Sequence, residues 1–361
     1  MRLLLVNSAW PQSWGGGEKW TVEAACWFQE QRHAVAVAAR PKSLLSESAS
    51  RRGLETFELS FGGDFDPFAV RRARRLLKAY RPDAVLVNFN KEAWQFGFAA
   101  RALRIPMIAR HGFPLLRNSL HHRYLLNKLI TRLIVNAASI REHYRDLGLP
   151  VEDADVILNG VRGVEQKRGE LRGRYEIESD QTLVVAAGRV ESQKRFDRVI
   201  ELASQLAPSH PDLRFLILGS GPLKEELQAE IDARGLGERV RIGRFHRELA
   251  SQIGDADLFV LTSDNEGSPN VLLEAMAAGV CCVATAVGAV PQILEGELAE
   301  NAIPAGDSDA LVKRVVQLVI DPNLRRTIGT RMQARTQGEL SFEKSMRSYE
   351  RMVAQLVLKR A

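Results

Sequence analysis

The chain has 361 residues, 45% of them apolar and 26% charged, which is ordinary for a globular protein and too long for one core, so two domains are expected. No apolar run approaches the roughly 18–20 residues of a membrane span. Lys and Arg exceed Asp and Glu by six, but unevenly: residues 1–160 hold 23 basic against 15 acidic side chains, and the remainder 27 against 29. A pI near 9.3 raises nucleic-acid binding as a possibility, yet no RNA-binding signature is present and the excess charge lies in one half only. No nucleic-acid partner is expected.

From the N-terminus, MRLLLVNSAW reads as a buried first strand and not as a secretory segment, so a cytoplasmic protein is expected. Apolar strands then alternate with amphipathic helical stretches: AVAVAA, RRARRLLKAY, DAVLVNF, KEAWQFGFAARAL, PMIARH, LITRLIVN and DVILNGV. After a charged, Gly-containing segment the alternation restarts with TLVVAAG and runs through LRFLILG, LFVLTS and VCCVATAV. Such alternation implies parallel strands with crossover helices. The reading is α/β, two doubly wound Rossmann-like domains facing across a cleft: residues 1–162, residues 163–340, and a final helix over 341–361 crossing back to the first domain. In that helix Phe342, Met346, Tyr349, Met352 and Leu356 recur at spacings of three and four, one apolar face. Cys26, Cys281 and Cys282 have no metal-like spacing and read as buried thiols.

In open α/β sheets ligands sit beyond the carboxyl ends of the strands. Two such ends carry charge. DNEGSPNVLLEAMAAG, residues 264–279, follows the strand LFVLTS; Ser268 is expected as N-cap and Pro269 as the first helical residue. Glu266 then lies at the strand end and Glu274 about 8 Å along the axis from the helix terminus. A helix N-terminus suits a phosphate, so a sugar nucleotide could place its diphosphate on the amides of Asn270 and Val271, its ribose diol on Glu274 and its sugar on Glu266. Taken alone, the pair is equally a loop-tip carboxylate and a solvated helical one. The second charged end is the exit of TLVVAAG into RVESQKRF, where Arg189 and Lys194 can neutralise a diphosphate leaving group.

Other features are weaker. GSGPLK, residues 219–224, lacks the third Gly of a dinucleotide fingerprint and reads as a tight turn. Gly15, Gly16 and Gly17 follow the first strand and leave amides for phosphate or sugar oxygens; a flexible loop without ligand is the alternative. His111, at the end of PMIAR, either orients a hydroxyl or is structural. His121 and His122 have no carboxylate or Cys company and read as surface residues.

GRVESQKRFDRVIE, ILGSGPLKEELQ, DLFVLTSDNEGSPNVLLEAMAAG and VATAVGAVPQIL, in this order, resemble the donor-binding half of the retaining family-four glycosyltransferases of GT-B fold. The resemblance implies that Arg189 and Lys194 clamp a diphosphate and that Glu266 and Glu274 are the two acids of an E-x7-E motif, facing donor sugar and ribose. It further implies Gly15 to Gly17 under the phosphates, His111 near the sugar, and Gly188, Phe245, Gly267 and Ser268 among the donor contacts. Four positions depart from the family pattern: Arg162 stands in NGVR, Cys281 replaces a Pro, GAVPQ carries Gln292 for Glu, and in the loop RIGRFHRE the usual glycine is shifted or replaced.

The implied activity is metal-independent, retaining transfer from a nucleotide-diphosphate sugar, a UDP-sugar before a GDP- or ADP-sugar, to an acceptor hydroxyl in cell-surface glycan synthesis. No cofactor and no metal are expected. An epimerase of the same fold, or a basic binding module, are the alternatives. Residues 71–81 and 117–132 interleave Arg, Lys and apolar residues as interfacial helices do. They suggest a lipid-linked or lipopolysaccharide acceptor reached from an anionic membrane, at the inner face of the cytoplasmic membrane; an exposed basic face is the alternative.

Overall fold

A computed structural model describes residues 1–244 and 248–359. The chain divides into two units, Met1–Leu158 with Ser345–Ala361, and Asn159–Lys344.

Unit 1 is built on seven parallel strands: β1 (Arg2–Asn7), β2 (Ala34–Ala39), β3 (Glu55–Glu58), β4 (Ala84–Val87), β5 (Met107–His111), β6 (Arg132–Val135) and β7 (Asp155–Val156), in the order β3-β2-β1-β4-β5-β6-β7. Unit 2 has six: β8 (Thr182–Arg189), β9 (Leu213–Ser220), β10 (Val240–Gly243), β11 (Leu258–Leu261), β12 (Cys281–Thr285) and β13 (Ala302–Ile303), in the order β10-β9-β8-β11-β12-β13. Counted from its own first strand, each sheet follows the Rossmann order. The order in which successive strands are added reverses between β1 and β4 in unit 1 and between β8 and β11 in unit 2, and such switch points are where open sheets bind ligands.

The central strands are near-continuous apolar runs because helices cover both faces. LLLV of β1, AVLV of β4 and LFVL of β11 are all buried. The edge strand β3, ETFE, is half-exposed and shows no such run. Cys281 and Cys282 lie buried in β12, where burial pushes both thiols up, Cys281 to about 12. They are inert as nucleophiles.

The basic stretch at 71–81 lies in the helix Pro67–Tyr80, which Asp66 caps by accepting from the Phe68 amide. Residues 117–132 do not form one helix. A short α-helix, Leu120–Tyr124, passes into a π-helical turn, Leu125–Leu129, and β6 begins at Arg132. The last helix, Phe342–Leu358, buries Met346, Tyr349 and Val353. In unit 1 its Tyr349 ring packs 5.1 Å from Trp20, and its Glu350 meets His33 at 2.8 Å. Arg110, buried, lies over the Trp20 ring at 4.1 Å and donates to the Tyr349 hydroxyl. Among the described residues no helix is long and apolar enough to cross a membrane.

Candidate active site

In unit 2 the switch point gathers the exit loops of β8 and β11. Glu266 is buried, and its Oε1 accepts from Lys194 Nζ at 2.5 Å and from Ser263 Oγ at 2.6 Å. Lys194 is itself nearly covered, so this is a shielded pair and not a surface one. Gly188 stands beside it: a Cβ there would come within 3.1 Å of the Lys194 stem, at a φ of +155°. Arg189 does not join this pair. Its guanidinium is 66% exposed and is bound to Glu191 at 3.2 Å, which leaves it accessible from solvent.

The two loops are fastened to each other mainly through backbone groups. The Asp264 amide donates to Gln193 O, Gln193 Nε2 to Asn265 O, and the Thr262 hydroxyl to the carbonyls of Lys194 and Arg195. Asp264 is gripped by Arg195 at 3.0 Å and Arg198 at 2.7 Å. Burial works against its charged form, but the two guanidiniums outweigh it and hold the Asp264 carboxyl below its usual range. From the far side, Thr285 Oγ1 donates to Ser263 O at 2.6 Å. The loop after β12 then closes on the site. Gly288 has φ +60°, and a Cβ there would lie 2.2 Å from Glu266 O and 2.5 Å from Gly267 O, while the Ala289 amide donates to Gly267 O at 2.7 Å. The backbone of Glu266 and Gly267 is thereby fixed, so the carboxylate is preorganised.

The following helix starts one residue later than expected. It runs Asn270–Ala277, with Pro269 in the cap position at ψ 102° and no side-chain cap. Pro269 is extended, so the helical ladder begins at its own carbonyl, which accepts from Leu273. Ser268 is therefore not the N-cap: its hydroxyl is buried and has no hydrogen-bond partner. Asn159 holds this corner, its amide donating to Asn270 Oδ1 at 2.9 Å and to Ser268 O at 3.4 Å. With no acid in the first turn, the amides of Asn270 and Val271 carry the positive end of the helix dipole. Glu274 is half-buried, one turn further on. Phe245 lies outside the described residues.

In unit 1 the corresponding switch point is different. Glu92 is fully buried and its carboxylate accepts backbone N–H groups from Ser8, after β1, and from Asn88 and Phe89, after β4. No cation is among these partners. Burial pushes its carboxyl up to about 7 despite the amides. The glycine loop opens the helix Gly16–Glu30, with Gly15 and Gly16 exposed and Gly17 half-exposed. The Gly15 amide is not free for a ligand: it donates to Glu18 Oε2 at 2.9 Å, while Ser13 Oγ donates to Oε1. Glu18 sits three residues past the cap and closes a capping box, so the expectation of three available amides is corrected to the helix's own first N–H groups.

His111 ends β5 and is completely buried. Its Nδ1 lies 3.0 Å from the Tyr144 hydroxyl, which also accepts the Leu115 amide at 2.7 Å. Its Nε2 is buried without a hydrogen-bond partner. Burial, with His122 and Arg110 adding to it, lowers its pKa to about 3, so His111 is neutral at physiological pH. Among the described residues no group of three His, Cys, Asp or Glu side chains is placed to hold a metal ion.

Comparison with known proteins gives this geometry a family. Residues 14–162 match the model described as Glycosyltransferase Family 4, and residues 167–335 match that described as Glycosyl transferases group 1. The chain belongs with the family-four-like glycosyltransferases. The charged loops, from Arg189 to Glu274, all fall in the second matched segment. An alpha-D-kanosaminyltransferase of Streptomyces kanamyceticus is 34% identical over 163 residues, 45% of this chain and 42% of that protein. The lipopolysaccharide core biosynthesis glycosyltransferase LpsE of Rhizobium meliloti is 24% identical over 222 residues, 62% of this chain and 64% of the relative. The chain thus matches about half the length of its curated relatives. A crystal structure of Anabaena Alr3699/HepE in complex with UDP superposes with a TM-score of 0.83 at 17% identity, over 98% of this chain and 100% of that one. At that identity the likeness establishes the fold, two Rossmann-like domains of GT-B type.

Sequence reasoning singled out Glu266, Lys194, Glu274 and Arg189 and passed over the residues that hold them. Arg195 and Arg198 lie in the same RVESQKRFDR run, and Asp264 two residues before Glu266. A cation pair in one exit loop and an acid in the next was the signal available. Asn159 lies in ILNGV, which carries only a weaker part of the family resemblance.

Proposed function

We propose that the protein is a retaining glycosyltransferase that moves a sugar from a nucleotide-diphosphate sugar, with UDP as the preferred carrier, to an acceptor hydroxyl of a glycan or lipid-linked saccharide. The observation that carries the reading is the covered Lys194–Glu266 pair at the switch point of unit 2, beside a helix N-terminus that no side chain caps and with Glu274 one turn along that helix. The relatives named above support sugar transfer, and the neighbour crystallised with UDP supports the choice of donor.

In this mechanism the helix amides of Asn270 and Val271 receive the diphosphate, and Arg189 and Lys194 neutralise the charge that grows on it as the bond to the anomeric carbon breaks. Glu266 accepts from hydroxyls of the sugar, and Glu274 from the ribose diol. The acceptor oxygen bonds to the anomeric carbon on the face the diphosphate leaves, and its proton passes to a departing phosphate oxygen.

The test is nucleotide release from UDP-sugars with saccharide acceptors, with the anomeric configuration of the product read by proton NMR. Acceptor-dependent UDP release with retention is expected, and Glu266→Gln should cost on the order of 10²–10³ in turnover. An epimerised sugar nucleotide formed without acceptor would contradict the reading, as would an inverted product.

A further inference from the structure

From Pro67 to Arg141 the chain holds fifteen Lys and Arg but only two acids, Asp83 and Glu92, and Glu92 is fully buried. Folding sets part of this basic run around an aromatic cluster. Trp94, buried, is the hub: the Phe65 ring is 4.8 Å away, Phe98 5.9 Å, and Tyr124 lies parallel to it at 6.2 Å. His121 meets Phe65 at 5.9 Å. The three outer rings are open to solvent, Phe65 most of all at 59%, and the neighbours in sequence are more exposed still: Phe68 at 70% and Leu120 at 84%.

Cations lie close to these side chains along the chain. On the helix Pro67–Tyr80, Phe68, Arg71 and Arg75 stand at spacings of three and four, hence on one face. Arg71, Arg74, Arg75 and Lys78 are all exposed. Arg101 follows Phe98 by three residues on the helix Asn90–Ala102 and donates to the carbonyl of Lys128, which is four residues after Tyr124.

We propose that this face of unit 1 docks on an anionic lipid bilayer, with Phe65, Phe68, Phe98, Leu120 and Tyr124 entering the headgroup boundary and Arg71, Arg74, Arg75 and Lys78 meeting lipid phosphates. Exposed aromatic and aliphatic side chains flanked by cations are the pattern of interfacial binding, in which apolar burial and attraction to anionic lipid add. Aromatic residues and Arg are also enriched at protein interfaces, so a protein partner is the alternative that the light-scattering arm of the test separates. A soluble polyanion would use the cations but leave Phe68 and Leu120 in water. This inference deepens the acceptor side of the glycosyl-transfer reading, since it would bring lipid-linked acceptors within reach, but it does not depend on turnover.

The test is flotation of the full chain with phosphatidylcholine vesicles, with and without phosphatidylglycerol, at low and high salt. Wild type is expected to float with phosphatidylglycerol and to be released by salt. Arg71→Gln with Arg75→Gln should weaken that binding roughly tenfold or more, and Phe68→Ser with Leu120→Ser should weaken it at low salt although every cation is kept. Both variants should keep the wild-type thermal unfolding curve, which separates a lost surface from a lost fold. Wild type that ignores vesicles would overturn the proposal. So would variants that float unchanged, or an apolar variant whose only effect in light scattering is to break a dimer. Failure of the sugar-transfer reading would leave the flotation result intact.

Discussion

The two sheets share one strand order and differ in what they put at the switch point. In unit 2 the buried carboxylate, Glu266, has a cation, Lys194, and a hydroxyl, Ser263. In unit 1 the buried carboxyl, Glu92, has backbone amides and the Ser8 hydroxyl but no cation among its hydrogen-bond partners, and burial pushes it up to about 7. The difference shows that the architecture provides a place for a carboxylate and the exit loops decide its use. A carboxylate with a covered cation is poised to exchange partners with a charged ligand. A carboxylate bound by the amides of two exit loops is a fastener, and its protonation governs how firmly those loops are tied.

The largest effect should come from breaking the pair that makes unit 2 distinct. Lys194→Met leaves Glu266 buried without its cation, and removing one partner of a covered pair costs about 3 kcal/mol. Denaturant unfolding should register that loss, and turnover should fall by on the order of 10² or more. A variant with wild-type stability and activity would mean that the pair is incidental.

The fastener of unit 1 makes a pH prediction of comparable size. The Glu92 carboxyl sits at about 7 when folded, against an ordinary value of 4.5. Below pH 4.5 both states are protonated and the group is neutral to stability. Between about 4.5 and 7 the unfolded chain gives up its proton while the folded one keeps it, so stability falls as pH rises, by about 3 kcal/mol over the window. His111 acts with the opposite sign. Its folded pKa of about 3 lies below the ordinary 6.5, so its contribution is present above 6.5 and is lost as pH falls through the interval to 3. Unfolding free energies of wild type and Glu92→Gln, measured from pH 4.5 to 7.5, should diverge, the variant lacking the decline. Parallel curves would remove Glu92 from the account.

Gly288→Ala sharpens the comparison without touching charge. A methyl at φ +60° pressed on Glu266 O and Gly267 O should cost about 2 kcal/mol and displace the carboxylate. Loss of stability with unchanged kinetics would show that Glu266 tolerates that displacement. The smallest effect belongs to Asn159→Ala, which removes the hydrogen bond to Asn270 and should lower stability by about 1 kcal/mol, read as a modest drop in Tm.

Much of the fold was legible because parallel strands buried on both faces must be apolar throughout: RLLLVN, TLVVAAG and LFVLTS announce themselves. ETFE does not, since a half-exposed edge strand carries neither a run nor a clean alternation. The stretch 117–132 misled for a different reason. Its spacing fits one helix, and the π-helical turn that interrupts it depends on packing within unit 1. At the site, the charged residues of unit 2 were legible because each follows a strand end at short range. The Ser268 cap failed because Pro269 has an extended conformation that moves the start of the helix. Gly15 was misjudged because Glu18, three residues on, claims its amide. Glu92 was invisible: its partner Ser8 is 84 residues away in sequence, and only the meeting of the β1 and β4 exits gives KEAWQ a meaning.

The central claim is that the loops around Lys194 and Glu266, with the helix from Asn270, bind a nucleoside diphosphate. It is tested most directly by thermal unfolding of wild type and Glu274→Ala with UDP, GDP, ADP and CMP, since a ligand that binds only the folded state raises Tm. The account predicts a rise in wild type with one diphosphate, UDP before the others, and a much smaller rise in the variant. Equal shifts in both proteins, or none in a folded wild type, would contradict it.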